Sequence, residues 1–306
     1  MKLLTAGLAA LAFVGSSCIS PGKVNYGHHL ESEYRDTYTP TMLARKKEKL
    51  AAVDFRAYLR ETKEYLLLLN ESDMPYHAEE FHSRLELFHD FLQVVSGELY
   101  GIENVAITTK EIGKDIAGTH DSFTSKILLK KKYASLSIYT HEFGHHTDRH
   151  NNLFSIITTI VERKISYDFQ LSRMRTEAIA DAFRLTIADE LYHADPDLAI
   201  SLYAHASGSF FGIDEELTLE DLLSELQDED ALKYYRVEKK IVAVLYHYHC
   251  NSFKETWDFL RKNSPKKIIA TLKKIEKGHG SFSHVLRNSI LAVDRYFDEA
   301  WEKIYP

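Results

Sequence analysis

A chain of 306 residues, 44% apolar and 27% charged, can bury a sizeable core as one domain, or as one domain with a helical appendage. Thirteen Gly and six Pro are few for that length, which argues against a turn-rich sandwich or barrel and favours long helices. The formal charge of −7 leaves no basic footprint for nucleic acid, and the basic runs 45–49, 130–132 and 266–267 are short enough to be solvated helix ends or loops.

The chain opens with MKLLTAGLAALAFVGSSC, which has one early Lys, an apolar run through Val14 and small residues before Cys18. The apolar run, about 12 residues, is too short to cross a bilayer as a permanent helix and fits the apolar region of an export signal. The stretch resembles bacterial lipoprotein signals, in which the Cys becomes the lipidated first residue, although Gly15 stands where Leu is expected. That resemblance implies an exported chain held to the cell envelope membrane through Cys18, with simple secretion as the alternative. Cys250 is then the only other thiol, so the mature chain has no intrachain disulfide. Residues 19–40, with Pro21, Gly22, Gly27 and Pro40, read as a tether.

Residues 41–70 carry apolar side chains at helical spacing with no breaker, and predict one helix. A second is predicted over 78–98, with Phe81, Leu85, Phe88, Leu92 and Val95 on one face. ENVAITTKEIG (103–113) is short, β-branched and alternating, as a strand is. Gly118 and Asp121 read as turn residues before a second strand around 123–130, an edge along which an extended peptide can pair. A helix starts near Ser135, and 153–192 is again helical. Residues 214–230 hold nine acids and no base, as a short solvated helix between loops would. From 231 the chain is helical, broken at 263–265 and 278–280, and there is no internal repeat. The sum is an α+β, predominantly α-helical chain: N-terminal helices to residue 98, a core over 99–192 with a small sheet, and a C-terminal helical subdomain over 193–306.

Chemistry concentrates in YTHEFGHHTDRH, residues 139–150. His141, Glu142 and His145 match H-E-x-x-H. Two imidazoles at i and i+4 share one helix face about 6 Å apart along the axis and can converge on one ion. Glu142 projects about 100° around the helix, which sets its carboxylate beside an ion rather than on it, where a base for ion-bound water belongs. Gly144 permits a neighbouring element to come close. Two histidines do not complete a catalytic zinc site, and the competing reading is an exposed polar helix face. The third ligand comes from MRTEAIADAFRL, in which Glu177 and Asp181 lie one turn apart among small Ala residues. Glu177 completes a two-His, one-Glu set with a fourth position for water. Asp181 can accept the free ring N–H of a ligand histidine. His146, Asp148 and His150 are bystanders in this reading.

HEFGHH followed by TEAIADAF resembles the gluzincin metallopeptidases, and is closest in character to the ImmA/IrrE-like zinc peptidases. The resemblance covers roughly residues 100–185. It implies a zincin-like core in which His141, His145 and Glu177 bind one Zn2+, Glu142 is the general base and Asp181 orients His141. KYYRVEKKIVAVL loosely resembles the helix that carries an oxyanion-stabilising Tyr in aminopeptidase-N-like enzymes. The match makes Tyr235 the candidate, with Glu238 standing where that family has Gly; an aromatic packing role is the alternative. His247, His249 and Cys250 look metal-like, but i and i+2 point apart on a helix. His82 and His89 lie beside an apolar face and read as structural. The expected function is zinc-dependent hydrolysis of a peptide or protein substrate. The alternative is a non-catalytic, zinc-stabilised envelope lipoprotein that acts as a binding or scaffolding module; hydrolysis of a non-peptide amide is a third reading.

Overall fold

The scarcity of Gly and Pro is realised as long helices. A computed structural model describes residues 39–71, 84–97, 104–108, 118–121, 126–130, 134–148, 167–192, 194–207, 217–224 and 231–304. Cys18, the signal-like segment and the tether up to residue 38 lie outside the described residues, as do Phe81, His82 and His150. In chain order the elements are α1 (Thr39–Ala51), α2 (Phe55–Glu71), α3 (Glu86–Ser96), β1 (Asn104–Thr108), β2 (Gly118–Asp121), β3 (Lys126–Lys130) and α4 (Leu136–His146). They continue with α5 (Tyr167–Leu191), α6 (Pro196–Ser207), α7 (Leu219–Ser224), α8 (Ala231–Tyr248), α9 (Phe253–Lys262), α10 (Pro265–His279) and α11 (Phe282–Ile304). This is the predominantly helical α+β class expected.

Four local expectations need correction. The stretch 41–70 is two helices, parted at residues 52–54, and helix already begins at Thr39. No Gly or Pro marks the break; instead the Asp54 carboxylate accepts the Ala57 N–H at 3.0 Å and starts α2 afresh. The C-terminal run has a further break at 249–252, where the Ser252 hydroxyl accepts the Glu255 N–H at 3.1 Å and Glu255 accepts the Asn251 N–H at 2.8 Å. Gly118 and Asp121 form no turn: they begin and end β2, which pairs antiparallel with β3 with Gly118 opposite Leu129. β1 pairs parallel on the other side, Asn104 opposite Lys126, so the order is β1-β3-β2. The strand expected at an edge, β3, is therefore central and hydrogen-bonded on both sides; β2 is at the margin.

Ile127 and Leu129 of β3 are fully buried, as the period-2 alternation of a half-buried strand requires, and α4 packs against β2 and β3. α5 is the central rod. It is buried around its whole circumference because α4, α6, α8 and α9 all pack on it. Phe183 of α5 lies between Phe143 of α4 (ring centroids 5.5 Å apart) and Trp257 of α9 (5.2 Å). On α3 the predicted face holds: Leu85, Phe88, Leu92 and Val95 are buried. Lys46 and Lys49 of α1 both pair with Asp90 of α3. α11 is tied back by hydroxyl donors, Tyr203 to Asp294 and Tyr296 to Asp189. The acidic segment contains the expected short helix, α7, opened by reciprocal bonds between Thr218 and Asp221. One apolar core runs through the described residues from Leu59 to Phe297. No helix among them is long and apolar enough to cross a membrane.

Candidate metal centre

α4 begins where the sequence signal places it. Ser135 is its N-cap, in extended conformation, with its hydroxyl accepting the Ile138 N–H at 3.2 Å. The helix ends at Thr147, whose hydroxyl donates to the Gly144 carbonyl at 2.7 Å. Nine of its eleven residues are buried, including His141, Glu142 and His146. An exposed polar face is thereby excluded. Charged and polar side chains so deep in a core demand partners, since burying them unpaired costs several kcal/mol, on the order of 2–7 for a neutral polar group.

The partners come from α5. α4 and α5 run in opposite senses, with Ser137 meeting Arg184, His141 meeting Asp181, Gly144 meeting Ala180 and Asp148 meeting Arg175. Gly144 makes the approach possible: a Cβ placed there would lie 2.6 Å from the Ala180 Cα and 2.9 Å from its carbonyl oxygen. With the helices this close, one Glu177 oxygen, Oε2, stands 3.3 Å from His141 Nε2 and 3.3 Å from His145 Nε2. A tetrahedral ion about 2.0–2.1 Å from each ligand atom requires ligand atoms about 3.3–3.4 Å apart. Two of the three separations match that value, and all three ligand atoms lie within 4.8 Å of one another, so the side chains can close on a small cation; among the described residues they are the only such group. His247, His249 and Cys250, set aside in the sequence because i and i+2 point apart, form no such group among the described residues; Cys250 is a buried free thiol.

The electrostatics agree with the geometry. Burial pulls the His141 imidazole down, but Asp181 Oδ1, 3.0 Å from Nδ1, and Glu177 outweigh it and raise the ring to about 9. His145 is likewise raised, Glu177 overcoming burial. Glu177 would be raised by burial alone; His145 and His141 hold it well below the carboxylate range. Asp181 behaves the same way, with the Arg184 guanidinium and His141 overcoming burial. Arg184 donates to Asp181 Oδ1 and, at 3.4 Å, to the Ser137 hydroxyl one turn before His141. Asp181 thus faces His141 at Nδ1 and leaves Nε2 for an ion, the arrangement of a carboxylate behind a ligand histidine.

Glu142 stands outside the His141–His145–Glu177 cluster. β2 lies directly against it: a Cβ on Gly118 would meet Ile138 Cγ2 at 2.7 Å and Glu142 Oε1 at 3.0 Å. The His120 backbone N–H bonds to the Glu142 carboxylate. Burial raises Glu142 above its ordinary value, and the charges of His145 and His141 only partly offset this. Two residues along β2, about 6.8 Å, match one turn and a little more along α4, about 6.0 Å. Gly118 accordingly meets Glu142 while the His120 ring reaches His146, its Nε2 2.9 Å from His146 Nδ1. His146, a bystander in the sequence reading, is fully buried in this contact.

Asp148 is no bystander either. It is buried, and both its oxygens accept from Arg175 Nη1, at 3.1 and 2.9 Å. Glu238, noted only as a departure from a family pattern, is fully buried on α8, where burial and then the charges of Asp181 and Glu177 raise it well above the carboxylate range. Neither of its oxygens has a hydrogen-bond partner among the described residues. Tyr235 lies one turn earlier on α8, and its side chain is outside the described set. His89 is structural as expected, its Nδ1 3.0 Å from the Tyr139 hydroxyl. No protein-family model, no curated protein and no solved structure matches this chain.

Proposed function

We propose that the chain is a zinc-dependent peptide hydrolase, a gluzincin-type metallopeptidase, with His141, His145 and Glu177 as ligands and Glu142 as general base. The observation that carries the proposal is the 3.3 Å convergence of one Glu177 oxygen on two histidine nitrogens, with the buried Glu142 carboxylate beside these residues and outside their set. A metal held only for stability has no use for that base. The donor set, two neutral imidazoles and a carboxylate, suits zinc with a fourth position open. Zinc held by His141, His145 and Glu177 would supply a water of lowered pKa and polarise a carbonyl. Glu142 takes the proton of the attacking water and returns it to the leaving amine. Asp181 holds the His141 tautomer, with Arg184 holding Asp181 in turn. An extended substrate pairs along β2, beside Glu142; Tyr235 is the candidate for stabilising the developing oxyanion.

Metal analysis and a peptide-library cleavage assay on the wild type and Glu142→Gln test this reading. The expected result is one zinc per chain in both proteins and cleavage in the wild type only. The loss should be at least about 100-fold, the size of a missing general base. Undiminished cleavage by the variant would overturn the mechanism. Zinc without Glu142-dependent cleavage would assign the centre to a binding module instead.

A further inference from the structure

The ligands come from two helices, so the ion sees whatever fixes those helices relative to each other. Gly144 against Ala180 is a close backbone approach, and on one side of it the helices are tied by Ser137–Arg184 and His141–Asp181. A tie on the other side is needed to fix the crossing angle at the His145 and Glu177 end. The Asp148–Arg175 pair supplies it, just beyond the end of α4 and about 7.5 Å along α5 from Ala180. His145 lies between Gly144 and Asp148, and Glu177 between Arg175 and Ala180. The two contacts therefore bracket one ligand on each helix.

The pair is built more firmly than a surface ion pair. Asp148 accepts from Arg175 Nη1 with both oxygens, and from the Thr176 hydroxyl at 3.3 Å. The rest of the guanidinium faces the C-terminal end of α9. Nε donates to the carbonyls of Leu260 (3.0 Å) and Asn263 (2.9 Å), and Nη2 to that of Arg261 (2.9 Å). Those carbonyls are the unpaired acceptors at the negative end of a helix. Trp257 of the same helix donates to the Thr147 hydroxyl at 3.3 Å, and Arg261 lies 4.5 Å over the Trp257 ring. One planar fork thus joins the end of α4, the turn of α5 before Glu177 and the end of α9.

We propose that Arg175 and Asp148 are positioning residues of the metal centre: their clip sets the distance from Glu177 to the two histidines and makes α9 part of the site. This rests on the metal reading above. The test uses the full chain loaded with Co2+, whose visible spectrum reports ligand geometry, with Asp148→Asn, Arg175→Lys and Arg175→Met compared for Co2+ affinity and thermal stability. Lysine restores a charge against Asp148 but cannot grip both oxygens and three carbonyls together. Arg175→Lys is therefore expected to recover most of the stability lost in Arg175→Met, yet to bind Co2+ about tenfold or more weakly, with altered bands. Asp148→Asn should show the same weakened, altered centre. Wild-type spectrum and affinity in Arg175→Lys and Asp148→Asn would reduce the clip to fold support and overturn the proposal. Affinity that simply follows stability across the variants would do the same. If Arg175→Met does not fold, the other two variants still decide. No Co2+ or Zn2+ bound by the wild type would instead strike down the metal reading itself, a separate outcome.

Discussion

Gly144 and Glu238 are two residues whose substitution should move stability in opposite directions. At Gly144 an added methyl meets backbone, not a flexible side-chain tip, with the Ala180 Cα only 2.6 Å away. The helices must separate. Gly144→Ala is expected to cost about 1–3 kcal/mol, seen as a lower denaturant midpoint at unchanged slope, and to weaken metal binding, because Glu177 moves off with α5. An unchanged midpoint would mean that the helices are not in contact there. Glu238 is the reverse case. Its folded-state pKa lies well above the ordinary 4.5, through burial and the charges of Asp181 and Glu177. A carboxyl raised in the folded state loses stability as pH climbs above its unfolded value, because the unfolded chain releases the proton more readily. Glu238→Gln removes that penalty and keeps the shape. The variant should melt at least about 2 °C above the wild type at pH 7, since a tenfold difference in proton affinity between folded and unfolded chain is worth about 1.4 kcal/mol. The advantage should vanish near pH 4, and a variant less stable at pH 7 would show Glu238 to be ionised and favourably paired.

At the scale of elements, what local signals encode was legible and what distant partners decide was not. The start of α4 at Ser135 and the placing of Glu177 and Asp181 one turn apart are local spacing facts, and both follow from residue type and a 3.6-residue period. The Asp148–Arg175 pair spans 27 residues, with no spacing rule to reveal it; an Asp at a helix end looks the same whether solvated or clamped. The breaks at 52–54 and 249–252 escaped because side-chain caps, not Gly or Pro, make them. β2 escaped because Gly and Asp are turn formers on their own. Gly118 stands in a strand for a different reason, the closeness of Glu142. That closeness carries its own prediction. Gly118→Ala pushes β2 against Glu142 while leaving His141, His145 and Glu177 untouched. Zinc content should stay at wild type while kcat falls about 100-fold, the scale of a roughly 1 Å misplacement of a reacting group. Equal losses in zinc and activity would mean that β2 supports the whole centre rather than its base.

For the molecule as a whole, the centre lies where α4 meets α5, and α6, α8 and α9 pack on the same α5. An ion there joins elements that share one apolar core, so its removal should lower the stability of that whole core. At a free-metal concentration a thousandfold above Kd the ion contributes about 4 kcal/mol, or about 6 °C in Tm for a chain of this size. The pH dependence identifies where it sits. In the metal-free protein His141 is raised from 6.5 to about 9. Its contribution is therefore complete below pH 6.5 and is lost as pH rises through 9. Glu177 and Asp181 are depressed, so theirs is present at and above their ordinary values and is lost only in acid. The metal-free protein should therefore soften between pH 6.5 and 9. A bound ion needs neutral imidazole and must displace that proton, so its affinity rises up to about tenfold per pH unit over the same interval. The gap in Tm between metal-loaded and chelator-treated protein should widen steadily from pH 6.5 to 9, followed by calorimetry at fixed free zinc. A gap independent of pH would show that the ion does not compete with the His141 proton, and would move it off this residue.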